Sequence, residues 1–588
     1  MQKKIIVLLM LISLLSGSLS CKLGVCAEDK TLPSGVSYDE MAGEIEDFVQ
    51  EHWNTTAGMA VSVFDDKKTI YKNSFGYIDK EQEIAVDGES VFEWGSASKL
   101  LVWVSVMQLW EQGKIDLDRD IRDYLPQGFL RNLNYEKKIT MINLMNHQGG
   151  FQELYINLFV QDRGAFSSLE ECLHDYAPFQ IYEPGTVTAY SNWGVALAAY
   201  IVERISGQTF AEYVQEHIFW LLEMNHTAVY VDLSDNSWVQ QQRKNLQCYT
   251  TEGELISDCF YYITLYPAGM CTSTLEDFET FAKALLKEES VLFQSADTRQ
   301  ELFTPTQYYG DTEIPQNCHG FWMVPYGVET LGHGGNTAGC SSYLLLQPED
   351  SIGVVVMTNQ AQEKVYNQDM MKLIFGEFQE ENYFDNPRET PQGIYRSART
   401  IGKGPFKFMS LSYESGEDDR EKIWMKTDDG GIEKISYPYE DSIRIPAYTM
   451  VWEIGLVLFW LLAVFFALVS IFIKAVGWMV RKVKKQEKKT VLGIWSSVAC
   501  LLEIALLCGF AVIVIKVSSY ALAGTYLWLT GVIFALGVAM MGFALYGVVK
   551  LVRVPPKKAR VYLWTVVVTL LISVVNIWYW NLYMFWCV

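Results

Sequence analysis

The chain holds 588 residues, carries a net charge of −22 and is 50% hydrophobic. Such a length calls for more than one folded unit, and an acidic chain with no basic patch ahead of its apolar C-terminal region is not built to bind nucleic acid. Most of the apolar excess lies after residue 447, so an acidic soluble part precedes a membrane-like one.

Met1-Gln2-Lys3-Lys4, the apolar run from Ile5 to Leu15 and the small residues ending at Val25-Cys26-Ala27 read as a secretory signal peptide over 1–27. An extracytoplasmic domain over 28–385 is expected to follow. It contains Cys172, Cys248, Cys259, Cys271, Cys318 and Cys340. Their spacing fits no zinc pattern and no metal is expected. They are read as buried small hydrophobes with room for one bridge, Cys248 and Cys259 being placed to close a hairpin.

Residues 28–50 carry Met41, Ile45 and Phe48-Val49 at helical spacing, which predicts an N-terminal helix. Ala57 to Phe64 and Lys68 to Tyr77 read as two strands around the turn Asp65-Asp66-Lys67. The chain then reaches Gly95-Ser96-Ala97-Ser98-Lys99, its only Ser-x-x-Lys. A helix beginning at or just before Ser96 puts hydroxyl and amine one turn apart on one face. The residues after it, through Met107, Leu109 and Trp110, are apolar almost all the way round, so this helix is expected to be buried on every side. A lysine at its root is desolvated, which favours the neutral amine and suits it to activate a serine.

A second helical segment, Ile139 to Met145, ends at His147-Gln148-Gly149-Gly150, and Tyr190-Ser191-Asn192 leads into an apolar helix from Val195 to Ile205. Tyr343 to Leu346 and Ile352 to Met357, split by Gln347-Pro348-Glu349-Asp350, form a late hairpin. Hairpins at both ends with helices between predict an α+β domain in which early and late strands share one sheet.

Three elements in order, Ser96-Ala97-Ser98-Lys99, Tyr190-Ser191-Asn192 and His333-Gly334-Gly335, make the chain resemble the serine β-lactamase and penicillin-binding-protein superfamily in its class C-like branch. Gly113 to Asp118, Pro184-Gly185-Thr186 and Pro267-Ala268-Gly269-Met270 match family words as well, and the resemblance covers roughly residues 38–365. It implies a β-lactamase/transpeptidase-like fold, an antiparallel β-sheet flanked by helices with an all-helical subdomain, and acyl transfer without a cofactor. Ser96 is the nucleophile, and Lys99 and Tyr190 carry its proton. Asn192 either donates to a substrate carbonyl or braces Lys99, His333 faces a substrate carboxylate or hydroxyl, Gly335 admits the substrate backbone, and the amides of Ser96 and Asn336 form the oxyanion hole. His333 stands where many members have the lysine of Lys-Thr-Gly, which removes a fixed charge for a carboxylate and counts against β-lactamase or carboxypeptidase action. Nothing matches the separate deacylating glutamate of class A enzymes, so deacylation is expected to reuse Tyr190 and Lys99.

Residues 386–446, with Gly393 to Arg399, Lys422 to Lys426 and the turn Asp428-Asp429-Gly430-Gly431, read as a small β-rich appendage acting as a spacer. The transmembrane region, 447–588, holds four apolar spans at about 451–473, 491–515, 522–549 and 561–583. Basic residues cluster between the first two, including Lys474, Arg481, Lys488 and Lys489, and between the last two, including Lys550, Arg553 and Arg560. The positive-inside rule makes these loops cytoplasmic and the enzyme domain extracytoplasmic, a multi-pass protein of the cell membrane. Glu453, at the outer edge of the first span, is expected to reach water. Glu503, near the middle of the second, is either functional or bonded to a Ser or Asn such as Asn576.

These readings converge on a membrane-anchored serine hydrolase cleaving peptide amides, with D-residues in its substrate. The architecture resembles D-stereospecific peptidases that process nonribosomal peptides, although those are drawn with three spans. The expected partners are a peptide or peptidoglycan-like substrate and the lipid bilayer. The alternatives are a class C-like β-lactamase or D-alanyl-D-alanine carboxypeptidase of the cell wall, and a non-hydrolytic ligand sensor signalling through its spans.

Overall fold

The computed structural model describes residues 30–586 except 154–155, 311, 384–391, 416–424, 430–431, 486–490 and 552–556. The expected signal peptide therefore lies outside the described residues, as do Gly430-Gly431 of the predicted turn and Lys488, Lys489 and Arg553 of the basic loops.

The predicted N-terminal helix forms as α1 (Met41–Glu51), and the first hairpin as β1 (Gly58–Asp65) and β2 (Thr69–Asp79). With β3 (Ile84–Ala85), β4 (Gln307–Tyr308), β5 (Pro315–Cys318), β6 (Phe321–Pro325), β7 (Glu329–Asn336), β8 (Ser341–Gln347) and β9 (Ile352–Thr358) they build one antiparallel sheet in the order β4-β5-β6-β7-β8-β9-β1-β2-β3. Early and late strands thus pair as expected, with Val61 opposite Val356. The centre of the sheet is covered on both faces, so β1, β8 and β9 are buried along their whole length. Alternate residues serve opposite faces. Met59, Val61 and Val63 pack with Met41, Ile45 and Val49 of α1, whereas Ala60 and Phe64 belong to the main core with α2 (Lys99–Glu111), α3 (Asn192–Ser206) and α4 (Leu275–Leu286).

Helix α2 is buried from Lys99 to Leu109, as its all-round apolar surface predicts. The six cysteines of this domain are buried and unbridged. Cys248 and Cys259 instead lie 3.8 and 3.7 Å from the guanidinium of Arg243, whose buried charge is balanced by Glu93 at 2.7 Å.

The appendage is a five-stranded antiparallel sheet: Glu414–Ser415, then β10 (Ile394–Ser397), β13 (Asp441–Ile445), β12 (Ile432–Ser436) and β11 (Met425–Asp429). It is not a spacer. Asp441 exchanges two 2.8 Å hydrogen bonds with the backbone of Thr188, and its carboxylate pairs with Lys434, also buried, at 2.9 Å. Lys434 Nζ in turn donates to Thr186 O at 2.8 Å. The appendage is therefore folded onto the chain leading into Tyr190.

Four apolar helices follow: α5 (Ala447–Val483), α6 (Val491–Ser518), α7 (Trp528–Leu551) and α8 (Lys557–Tyr579). All four contain a stretch long and apolar enough to cross a membrane. Their core includes Ile156, Ile401 and Phe406 from the preceding domains, and Ala523 N, between α6 and α7, donates to Asn157 Oδ1 at 2.7 Å. Glu453 does not reach water. It is 2% exposed, paired with Arg396 of β10, and accepts from Tyr413 Oη at 2.6 Å and Tyr579 Oη at 2.7 Å. Glu503 accepts from Ser573 Oγ at 2.5 Å, while Asn576 donates to the backbone of Leu456 and Ile572.

Candidate active site

A short 3-10 turn, Gly95–Ser98, carries Ser96 and runs directly into α2, whose first residue is Lys99. Trp94 anchors the turn: its N–H donates to Cys271 O at 2.7 Å, and its indole N–H donates to Ser273 Oγ at 2.7 Å. Gly95 has a φ of +53°, and a Cβ there would press on the backbone of Asn336. A Cβ at Gly335 would strike Trp94 O and stand 2.8 Å from Ser96 N. Both glycines are needed because β7 closes directly onto the turn that carries Ser96. That approach sets the backbone of Asn336 against Gly95 and that of Gly335 against Trp94 and Ser96.

The three-residue spacing delivers Lys99 Nζ to 2.9 Å from Ser96 Oγ. The amine is fully buried and donates to Asn192 Oδ1 at 2.8 Å and Ala268 O at 2.6 Å. Burial, then the positive charge of Arg399, holds Lys99 well below the ordinary lysine range. As a neutral amine it has two N–H groups for Asn192 and Ala268 and a lone pair for the Ser96 hydroxyl, the arrangement of a general base.

Tyr190 stands two residues before α3, capped by Ser191 Oγ, which accepts from Gly194 N at 3.0 Å. Lys99 Nζ lies 4.9 Å from the centre of its ring. Burial raises the phenol above its usual range, offset by a hydrogen bond with Ser96 and by the Arg399 charge. Asn192 uses its carbonyl oxygen on Lys99, so the bracing role is made here and only its amide nitrogen is left to donate toward the cleft.

His333 lies on β7 beside the cleft, paired with Leu344 of β8, while the pairing with β6 on the other edge stops at Gly332. Its Nδ1 donates to Gly334 O at 2.6 Å, which fixes the tautomer. Burial and the nearby Lys99 push it down to about 3, so it is neutral at physiological pH.

Ser96, Tyr190, Asn192, His333, Gly335 and Asn336 all line one cavity of about 1050 Å³. A family model described as Beta-lactamase matches residues 45–375, more than half of the chain. The chain belongs to the beta-lactamase family. It is 23% identical over 329 residues to Penicillin-binding protein 4* of Bacillus subtilis, covering 52% of this chain and 70% of that protein. It is 24% identical over 385 residues to the human mitochondrial serine beta-lactamase-like protein LACTB, covering 50% and 69%. Among solved structures, the octameric penicillin-binding protein homologue from Pyrococcus abyssi aligns with a TM-score of 0.48 at 19% identity, covering 69% of this chain and 99% of that one. The family is one of serine hydrolases.

Two features of this beta-lactamase-family site escaped the motif reading. His147 stacks on Tyr190 at 4.3 Å and 17°, and accepts the Ser191 N–H on Nδ1 at 3.0 Å. Its place just before Gly149-Gly150 was the only signal. The other is the appendage. Arg399, Tyr413 and the turn Tyr437-Pro438-Tyr439-Glu440 line the same cavity as Ser96, and Tyr439 Oη lies 2.8 Å from Tyr343 Oη.

Proposed function

We propose that the chain is a membrane-anchored hydrolase that forms an acyl-enzyme at Ser96 and cleaves peptide amide bonds, with D-amino-acid-containing peptides as its substrates and the catalytic domain on the extracytoplasmic face. The observation that carries this reading is Lys99, fully buried and held 2.9 Å from Ser96 Oγ by two further acceptors. Buried Lys434 has the Asp441 carboxylate beside it, whereas these partners of Lys99 are neutral oxygens, which favours the uncharged amine that a base requires. His333 supports amide over carboxylate-bearing β-lactam substrates: it is neutral where a lysine would hold a carboxylate. The four apolar helices support the anchor, and the basic loops support the orientation.

The test is to label membranes with a fluorophosphonate and a fluorescent penicillin, with Ser96→Ala as control, and then to offer a panel of D- and L-peptides and a chromogenic cephalosporin. Labelling confined to Ser96 with cleavage of D-peptides is expected. Rapid cephalosporin turnover without peptide cleavage would establish the β-lactamase alternative, and labelling that never turns over would establish a sensor.

A further inference from the structure

The family match ends at residue 375, yet the cavity does not. Among the described residues that line it, Arg399 is the one cationic side chain. It comes from the turn after β10, whose Arg396 is paired with Glu453 of α5. Its guanidinium lies 4.8 Å from the centre of the Tyr190 ring, and its Nε is 3.2 Å from the buried carboxylate of Glu153. Planarity suits a guanidinium to an aromatic face, and its charge is permanent across the whole working pH range.

We propose that Arg399 is a positioning residue for the reaction at Ser96, a fixed positive charge that the appendage sets against the Tyr190 ring, near which Lys99 also lies. This rests on the reading of Ser96 as nucleophile. In the acylating step the Ser96 proton passes to the Lys99 lone pair, Oγ bonds to the carbonyl carbon, and the C–N bond breaks as its nitrogen keeps the bonding pair and takes a proton from the Tyr190 hydroxyl, which Lys99 then reprotonates. A cation near Lys99 disfavours an ammonium there before the step and favours negative charge on Tyr190 when the proton is passed on. The directions agree. Arg399 pulls both Lys99 and Tyr190 downward, whereas Glu153 pushes both upward. The other titratable groups around the pair are His147 and His333, both held neutral by burial, with Tyr439 and Glu440 from the appendage.

The test uses the full chain in detergent and reads the second-order rate of fluorophosphonate labelling at Ser96 against pH. In that reaction the Oγ–P bond forms and fluoride leaves with the P–F pair. In Arg399→Gln the acidic limb moves to higher pH by about one unit, the order expected for loss of a neighbouring unit charge in a protein interior. Arg399→Lys keeps the limb near its wild-type position, and Glu153→Gln moves it to lower pH. A residue that merely holds structure lowers the rate at every pH and leaves the limb in place. An unmoved limb in Arg399→Gln, or a lysine variant displaced as far as the glutamine one, overturns the inference. Should Arg399→Gln fail to fold, Arg399→Met takes its place: a shift of the limb to higher pH upholds the inference and no shift overturns it. Wild-type chain that takes no label at Ser96 refutes the nucleophile, and this inference with it; wild-type labelling with an unmoved limb refutes Arg399 only.

Discussion

Asp441 and Thr188 hold each other by two hydrogen bonds, Asp441 amide to Thr188 carbonyl and Thr188 amide to Asp441 carboxylate, both 2.8 Å, two residues ahead of Tyr190. The same carboxylate neutralises buried Lys434. Asp441→Ala leaves that ammonium without its partner in the interior, a loss of about 3–5 kcal/mol. A fall in the urea midpoint, with Ser96 labelling lost in step, is the expected result. The double variant Asp441→Leu, Lys434→Met, which removes both charges, is expected to recover much of the stability. A midpoint unchanged in the single variant would show that the appendage is not docked on this segment.

His147 separates packing from hydrogen bonding beneath Tyr190. His147→Phe keeps a ring against the tyrosine but leaves the buried Ser191 N–H without its acceptor, at a cost of about 1–3 kcal/mol. His147→Asn keeps an acceptor and forfeits the stack, worth about 0.5–1.5 kcal/mol. Both are expected to unfold earlier in urea and to label Ser96 more slowly, the phenylalanine variant losing more stability. The reverse order would mean that the ring matters more than the bond.

His333 is neutral down to about pH 3, so it contributes no ionisation to the labelling profile between pH 5 and 8. In His333→Asn the rate changes but the acidic limb keeps its place. Disappearance of the limb in that variant would assign it to the histidine rather than to Lys99.

Glu203, on α3, titrates at about 7 instead of 4.5 because burial opposes its charged form, against bonds from Phe210 N and Tyr266 Oη. Below pH 4.5 the carboxyl is protonated folded and unfolded alike. As pH rises from there to 7 the unfolded chain releases the proton first, so stability falls, and above 7 the deficit stays constant. Glu203→Gln is expected to match wild type near pH 4 and to gain up to about 3 kcal/mol at pH 8, read as urea midpoints at the two pH values. Equal midpoints at pH 8 would remove the strain assigned to this residue.

What could be read from the sequence was local. Ser96 and Lys99 are legible because helical spacing alone brings them together, and the covered sheet centre because β1 and β9 are apolar on both faces. Tyr190, Asn192 and His333 are legible as words in a known order. Arg399 and Asp441 are not, because their partners Glu153, Tyr190 and Thr188 lie hundreds of residues away and docking between distant segments leaves no periodicity behind. Glu453 shows the same limit in reverse: its position at the end of an apolar run predicts solvation, and the tertiary fold turns Arg396, Tyr413 and Tyr579 onto it instead. His147 was visible as a residue, but its stack exists only once the chain before α3 has passed over it.

The bond from Ala523 to Asn157 and the clamp on Glu453 also bear on how such a hydrolase meets its substrate. A catalytic head on a slack leash sweeps a volume around its mooring. This one is bolted to its helices at two places, so on the proposed reading its cleft keeps a constant height and tilt above the bilayer, and the substrate must arrive at that height already turned the right way.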